Sequence, residues 1–165
     1  YYHDIGKVKN AQYFAENQRG DNPHNRLKPN MSALILKAHE RDGLEIAKKY
    51  KLPQDIMDFI ATHHGTSRIE YFFQRDKEQQ ERVHEEDYRY PGPRPQTRET
   101  GICMVSDSVE AAVRSLPDKS PDKILVLVRK LINSKFADGQ FDECDLTLRD
   151  LNDIANALLG ILNAY

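Results

Sequence analysis

Residues 29–39 read PNMSALILKAH, and their pattern indicates how the rest of the chain folds. Pro29 has the place of a first-turn proline, which is common at the start of a helix because its missing N–H has no partner there. Apolar side chains then recur at helical spacing, at Met31, Leu34, Ile35 and Ala38. We expect this helix to close at His39, and a further helical segment to follow over residues 42–50.

The same spacing predicts the other helices. One restarts at Pro53 and ends at the His63-His64-Gly65 run, where glycine suits the left-handed residue after a helix. Others are expected over residues 69–86, 97–116 and 121–136, and from Thr147 onward, where Thr147 and Asp150 resemble a capping box. Strand signals are nearly absent. The chain is therefore predicted to be a single all-α domain over residues 1–165, a bundle of about six or seven helices.

Composition excludes several classes of protein. The 165 residues carry 24 Lys and Arg against 26 Asp and Glu, a net charge of −2, which argues against coating a nucleic-acid polymer. The longest apolar runs, such as residues 157–162, are far shorter than the ~20 residues of a membrane-spanning helix. The two cysteines, Cys103 and Cys144, suggest neither a zinc ribbon nor a disulfide framework. Because no initiator Met is present, we expect a fragment of a longer protein.

Six side chains of metal-binding type lie in or at the ends of predicted helices, beside apolar stripes. They are His3, Asp4, His39, His63, His64 and Asp107. Imidazole and carboxylate without thiolate form a mixed nitrogen and oxygen set, which suits Fe or Mn and, less well, Zn. An adjacent His-Asp pair can bind one metal while the second carboxylate oxygen reaches another. Six such ligands can hold two metals with positions open for water and substrate, which indicates catalysis.

Each of these residues also has an ordinary structural interpretation. A histidine such as His39 at a helix end is more often a surface residue stabilised by the helix dipole, and a carboxylate such as Asp107 is more often solvated. The doubled His63-His64 beside glycine is less ordinary, because it concentrates two good ligands. Their joint presence in one bundle is what favours a metal site.

Residues near these ligands are candidates for substrate binding. Lys7 follows Asp4 by three positions, so it lies on the same helix face and either contacts a phosphate oxygen or interacts with the helix dipole. Thr66 and Ser67 either donate hydrogen bonds near the metals or cap the next helix.

Two arginines are further candidates. Arg94 and Arg98 lie in or just after the proline-rich segment that precedes the helix of Asp107. Guanidinium geometry suits bidentate binding of a phosphate, so these arginines are predicted to hold the second phosphate of a substrate.

The ligand pattern resembles a known family. The run His3-Asp4-Ile5-Gly6-Lys7, followed by His39, the His63-His64 pair and Asp107, resembles the HD superfamily of metal-dependent phosphohydrolases. More narrowly, residues 63–67 (HHGTS) and 90–99 (YPGPRPQTRE) are similar to the cytoplasmic HD domain of the seven-transmembrane HD family, the PgpH-type cyclic di-AMP phosphodiesterases. The resemblance covers essentially the whole chain, through residues 142–147 (DECDLT).

The resemblance implies a dinuclear centre of divalent transition metals, Mn or Fe, in which Asp4 is both a catalytic residue and the bridging ligand. His3 and Asp107 would bind one metal, and the three histidines His39, His63 and His64 the other. A hydroxide bridging the two metals would then hydrolyse cyclic di-AMP to linear pApA, with Lys7 assisting. The family also has a histidine on a helix before the His-Asp pair, and this chain begins too late to contain it.

Two alternative functions remain open on the sequence. The Gly-Tyr-Pro signature of related cyclic di-GMP phosphodiesterases is missing after His63-His64, which favours cyclic di-AMP. One alternative is hydrolysis of another nucleotide, such as cyclic di-GMP, guanosine tetraphosphate or a deoxynucleoside triphosphate. The other is a sensor domain that binds a nucleotide without turnover.

The resemblance further implies upstream transmembrane and sensor regions, and hence a cytoplasmic domain of a bacterial inner-membrane protein.

Overall fold

A computed structural model of the chain describes residues 1–18 and 20–164. This part of the chain forms six α-helices and four short 3₁₀ helices, and its only β pairing is one isolated bridge between Arg68 and Arg89. The α-helices are α1 (Pro29–Lys49), α2 (Gln54–Thr62), α3 (Glu70–Lys77), α4 (Arg98–Arg114), α5 (Pro121–Ala137) and α6 (Leu148–Leu162). The 3₁₀ helices are Ile5–Tyr13, Ala15–Asn17, Pro23–Arg26 and Glu85–Tyr88. The predicted all-α fold is confirmed.

The prediction that the first long helix closes at His39 is wrong, because α1 continues to Lys49. No proline interrupts residues 30–49, and the buried face simply continues past His39 through Gly43 and Ala47. His39 therefore lies in the middle of a 21-residue helix, where its backbone is held on both sides.

The prediction of one charged helix over residues 69–86 is also wrong. Helix α3 ends at Lys77, and a short 3₁₀ helix begins only at Glu85. Asp76 provides the physical reason, because its carboxylate accepts hydrogen bonds from the Gln80 amide at 2.7 Å and from the Tyr88 hydroxyl at 2.6 Å. These two bonds favour a chain that turns back beside α3 over one that continues as a helix.

The described chain divides into two compact units, of which the first spans Tyr1–Pro93. In this unit α1 packs against the N-terminal 3₁₀ helix, α2 and α3. An apolar cluster of buried residues lies between α1, α3 and the segment that follows α3. It contains Ala33, Ile69, Phe72, Phe73 and Tyr88.

Gly6 brings the N-terminal 3₁₀ helix unusually close to α1. A Cβ atom at Gly6 would lie 1.8 Å from the carbonyl oxygen of His39 and 2.5 Å from the backbone nitrogen of Gly43. Both contacts are to backbone atoms of α1, so only glycine permits this approach. The two elements that carry Asp4 and His39 are thereby held in direct backbone contact.

The second unit begins at Arg94 and contains α4, α5 and α6. The apolar stripes of the three helices form its core, in which Met104, Val109, Val128 and Leu151 are buried. The capping box predicted at Thr147 and Asp150 is confirmed, since the Thr147 hydroxyl accepts from the Asp150 N–H and the Asp150 carboxylate accepts from the Thr147 N–H. No helix in the described part of the chain is both long and apolar enough to cross a bilayer. The single-domain prediction stays a prediction.

Candidate metal centre

Four of the six predicted ligands converge in the first unit. Asp4 directly precedes the N-terminal 3₁₀ helix, His39 lies in the middle of α1, and His63 and His64 directly follow α2. One donor atom from each of these residues lies within 4.8 Å of the donor atoms of the others. His39 and His63 are 2% and 0% exposed, so this site is formed by the core of the unit.

Local backbone structure orients the two buried imidazoles. The Nδ1 atom of His39 lies 2.5 Å from the Leu36 carbonyl oxygen, and Nδ1 of His63 lies 3.0 Å from that of Ile60. Carbonyl oxygens only accept hydrogen bonds, so each Nδ1 must carry the proton and donate it. In the neutral imidazole each Nε2 then has a free lone pair that points into the centre, which is the usual arrangement of metal-binding histidines.

The distances in the centre fit a cation. The Nε2 atoms of His39 and His63 are 3.1 Å apart, and Asp4 Oδ1 lies 3.5 Å and 3.4 Å from them. Two unprotonated nitrogens at this distance repel each other unless a positive charge lies between them. Neighbouring ligands of a metal with bonds of about 2.1 Å are roughly 3 Å apart in octahedral geometry. Asp4 Oδ1 is moreover buried without a hydrogen-bond partner within the described chain. The donors therefore suit a divalent metal.

The pKa values of Asp4 and His39 favour the protonation states that bind a metal. Burial raises the pKa of the Asp4 carboxyl, but contacts with His3, His63 and the Lys7 ammonium outweigh it and hold that pKa well below the usual value. Burial also lowers the pKa of His39 to about 4, so this imidazole is neutral at pH 7. Metal binding needs ionised carboxylates and neutral imidazoles, and the side chains of Asp4 and His39 meet this requirement.

The second oxygen of Asp4 faces a different set of groups. His3 Nε2 lies 3.3 Å from Oδ2, and Lys7 Nζ lies 2.7 Å from it. The Lys7 ammonium also contacts Glu16 Oε1 at 2.8 Å. The structure thus places the Lys7 ammonium against the carboxylate of Asp4, and the predicted contact of Lys7 with a substrate phosphate stays a prediction.

Three predicted site residues belong to the second unit. Asp107 is half-buried on α4. Burial lowers the pKa of the Lys135 ammonium to about 8, and the negative charge of Asp107 opposes this shift. The two arginines already have carboxylate contacts: Arg98 donates to Asp150 at 2.5 Å, and Arg94 lies 3.5 Å from Asp142. A ligand role for Asp107 and substrate roles for the arginines stay predictions.

Thr66 and Ser67 lie in the segment directly after His64. The Thr66 carbonyl accepts a hydrogen bond from the Arg89 guanidinium at 2.8 Å, and the Ser67 carbonyl accepts one from the Tyr90 N–H at 3.0 Å. These backbone bonds tie the residues after α2 to residues 89–90. The predicted contacts of the Thr66 and Ser67 side chains with substrate stay predictions.

Sequence reasoning missed two aromatic side chains that pack on the ligands. The Tyr90 ring stacks on His64 with centroids 4.2 Å apart and an angle of 19° between the planes. The Phe14 ring meets His39 edge-on at 5.6 Å. Neither residue has a helical spacing to its histidine, so only the tertiary fold brings them together. Both restrict how the imidazoles can turn.

A third residue that the sequence did not indicate is Glu40. Its side chain is 3% exposed, and burial raises the pKa of its carboxyl to about 9. It follows His39 directly, yet no periodicity distinguishes it from the other charged residues of α1.

Comparison with known proteins places these observations in a family. Residues 1–112 match the family described as the HD domain. The chain is 48% identical over 163 residues to the cyclic-di-AMP phosphodiesterase PgpH of Bacillus subtilis (strain 168), and 47% identical over 164 residues to the PgpH of Listeria monocytogenes serotype 1/2a (strain 10403S). These alignments cover 98% and 99% of the chain, but it spans only 23% of the length of each relative.

Solved structures agree with the fold. The crystal structure of the L. monocytogenes PgpH HD domain matches with a TM-score of 0.93 and 47% identity, covering 99% of this chain and 77% of that one. The structure of the same domain in complex with cyclic-di-AMP matches with a TM-score of 0.95, at the same identity and coverage. Together with the Asp and His cluster, these matches establish that the chain belongs to the HD domain family.

Proposed function

We propose that this chain is a phosphodiesterase domain that hydrolyses cyclic di-AMP to linear pApA with two divalent metal ions. The observation that carries the proposal is the convergence of Asp4 Oδ1 with the Nε2 atoms of His39 and His63, which lie 3.1 to 3.5 Å from one another. Support for the substrate comes from the two relatives named cyclic-di-AMP phosphodiesterase and from the related HD domain solved with cyclic-di-AMP.

The carboxylate of Asp4 supports a centre of two metals. Its Oδ1 faces the buried imidazoles while its Oδ2 faces His3, so the two oxygens address different ligand groups. The proposal assigns His39, His63 and His64 to one metal. By family resemblance it assigns His3 and Asp107 to the other. Mn or Fe is the proposed metal because the donor set lacks thiolate.

The chemistry follows from this arrangement. When bound, two divalent cations would neutralise the oxygens of a phosphodiester and would lower the pKa of water, so that hydroxide is available near neutral pH to attack phosphorus. Lys7 supports this from the chain itself, because its ammonium keeps the Asp4 carboxylate ionised and adds positive charge where the anionic diester would approach. The buried position of His39 and His63 limits competing hydration of the same donors.

The short span of this chain relative to PgpH proteins supports a larger parent protein. We assign the chain to the cytoplasmic side of a membrane-anchored bacterial protein, where upstream transmembrane and sensor regions would regulate it.

The test is hydrolysis by the purified chain after removal and return of metal. Cyclic di-AMP, cyclic di-GMP, guanosine tetraphosphate and dATP are each incubated with Mn²⁺, with Fe²⁺ or with chelator, and the products are separated by chromatography. We expect pApA from cyclic di-AMP with metal and none with chelator. Consumption of only the linear nucleotides would contradict the proposal, and so would binding of cyclic di-AMP without turnover under both metals.

A further inference from the structure

The Lys7 ammonium lies between two carboxylates that come from different segments of the first unit. Its Nζ atom is 2.7 Å from Asp4 Oδ2 and 2.8 Å from Glu16 Oε1. The Phe14 ring also packs against it, with the ring centroid 5.1 Å from Nζ. Only 19% of the Lys7 side chain is exposed. Three contacts therefore confine a long and flexible side chain to one position.

Asp4 alone would not fix this position. Lys7 follows Asp4 by three residues, and a lysine ammonium on its flexible four-carbon stem can reach either oxygen of that carboxylate. An ammonium on Oδ1 would compete for the oxygen that faces His39 and His63. The carboxylate of Glu16 is a second anchor, and it favours the position beside Oδ2.

Glu16 belongs to a segment that packs on the centre. It lies in the 3₁₀ helix Ala15–Asn17, directly after the buried Phe14, whose ring meets His39 edge-on. The backbone N–H of Asn17 donates to the Phe14 carbonyl oxygen at 2.9 Å, which closes the turn around Glu16. The Glu16 carboxylate is thus attached to backbone that is anchored beside a proposed metal ligand.

Stability alone gives little reason for the pair of Lys7 and Glu16. Ion pairs between partly exposed side chains contribute little to the free energy of unfolding, and 33% of the Glu16 side chain is exposed. The same 3₁₀ helix offers a comparison, because Lys9 Nζ also contacts two carboxylates, Glu45 at 2.5 Å and Asp42 at 3.5 Å. Neither of these two is a predicted metal ligand. The two lysines therefore separate the effect of an ion pair from the effect of contact with the centre.

We propose that Glu16 is a positioning residue, which holds the Lys7 ammonium beside Oδ2 of Asp4 for contact with the phosphodiester. The inference rests on the proposed function and adds a residue that acts through Lys7. An ammonium has three N–H donors, so contacts with two carboxylates leave one donor for a phosphate oxygen. Because two donors are fixed, the direction of the third is fixed as well. The positive charge of Lys7 then needs no reorganisation when the substrate binds.

Four variants test the inference: Glu16→Ala, Glu16→Gln, Lys7→Met, and Glu16→Ala combined with Lys7→Met. Glutamine keeps an oxygen that accepts a hydrogen bond from the ammonium, whereas alanine removes it. Glu45→Ala is the matched control, because it removes the corresponding contact of Lys9 from a side chain that is 71% exposed. Urea unfolding of each variant verifies the fold, and we expect the midpoints of Glu16→Ala and Glu45→Ala to be similar.

Steady-state kinetics with Mn²⁺ give kcat and KM for cyclic di-AMP. We expect Glu16→Ala to lower kcat about tenfold or more, with KM changed less than about threefold, because a misplaced charge weakens the transition state more than substrate binding. Glu16→Gln and Glu45→Ala should stay within about threefold of the wild type in kcat. In the Lys7→Met background, Glu16→Ala should lower kcat by less than about twofold, since the group through which it acts is gone.

A second readout does not depend on turnover. Side-chain ammonium groups of metal-free protein containing isotope-labelled lysine are observed by NMR, where an ammonium confined by carboxylates exchanges its protons slowly enough to be detected. The resonance that is absent from Lys7→Met belongs to Lys7. We expect this resonance to be lost in Glu16→Ala and to persist in Glu16→Gln and Glu45→Ala.

Equal losses of kcat from Glu16→Ala in the wild-type and Lys7→Met backgrounds would overturn the inference, since Glu16 would then act without Lys7. A Lys7 resonance that is unchanged in Glu16→Ala would also overturn it, as would an equal loss of kcat in Glu45→Ala. A wild type that shows the Glu16-dependent resonance but does not hydrolyse cyclic di-AMP would overturn the proposed function and leave the positioning of Lys7 by Glu16 standing.

Discussion

Replacement of Gly6 by alanine is expected to disable the metal centre, although Gly6 is not one of the metal ligands. The new Cβ atom would lie 1.8 Å from the His39 carbonyl oxygen and 2.5 Å from the Gly43 nitrogen, where an ordinary contact is at least 3.4 Å. Both obstacles are backbone atoms of one helix, so neither can rotate away. The N-terminal 3₁₀ helix must then retreat from α1 by about 1.6 Å.

The consequence for the centre follows from the position of Asp4, two residues before Gly6. Asp4 Oδ1 now lies 3.5 Å from His39 Nε2 and 3.4 Å from His63 Nε2. The retreat would lengthen both distances to roughly 5 Å, whereas metal sites tolerate about 0.2 Å. We expect at least ~100-fold lower phosphodiesterase activity, since a misplacement of ~1 Å can have that effect. The steric strain itself should cost about 1–3 kcal/mol of folding free energy.

The assay combines calorimetric titration of the metal-free protein with Mn²⁺, hydrolysis of cyclic di-AMP, and urea unfolding. Gly160→Ala is the matched control, because a Cβ atom there meets nothing within 4 Å and the residue is helical. That variant should bind metal normally and gain up to ~1 kcal/mol of stability. Mn²⁺ affinity of Gly6→Ala within threefold of the wild type would refute the argument that this close approach positions Asp4.

Three other substitutions test separate parts of the account. Tyr90→Ala removes the ring stacked on His64 and should weaken Mn²⁺ binding by about 10-fold or more, whereas Tyr90→Phe keeps the ring and should bind Mn²⁺ normally. Equal Mn²⁺ affinities of the two variants in the same titration would contradict a role for the Tyr90 ring in positioning His64. Burial raises the pKa of Glu40 to about 9 from an unfolded value of 4.5. The contribution of this pKa shift to the free energy of unfolding is therefore complete below pH 4.5 and is lost as the pH rises towards 9. Urea unfolding of the metal-free wild type should lose about 2–3 kcal/mol more between pH 7 and pH 9 than Glu40→Leu, and parallel curves would contradict this. Tyr88→Phe removes a 2.6 Å hydrogen bond to the buried Asp76 carboxylate and should destabilise the protein by about 1–3 kcal/mol, a loss that unchanged urea midpoints would disprove.

The helical pattern predicted the architecture because apolar spacing is a local property. The helices of the second unit, α4 to α6, begin close to the residues at which the sequence predicts their starts. The errors arose where tertiary contacts decide. Helix α1 passes through His39 because its buried face extends beyond the apolar residues, and α3 stops early because Asp76 binds Gln80 and Tyr88.

The candidate site shows the same division. Residue chemistry and the family pattern were enough to select Asp4, His39, His63 and His64, and the fold brings their donor atoms together. The role of Gly6 was not visible in the sequence, because its function is to leave space for another backbone segment. Tyr90 and Glu40 were missed for a related reason: stacking on His64 and burial without a partner both depend on the packed structure.

The metal content of the chain tests the central claim most directly. Wild-type protein and the Asp4→Ala variant are freed of metal, dialysed against Mn²⁺ and analysed for metal bound per chain, together with circular dichroism to verify the fold. The account predicts about two metals per wild-type chain and loss of both in Asp4→Ala, since one carboxylate serves both sites. A folded variant that keeps one metal would contradict the shared ligand, and a wild type that binds none would contradict the centre.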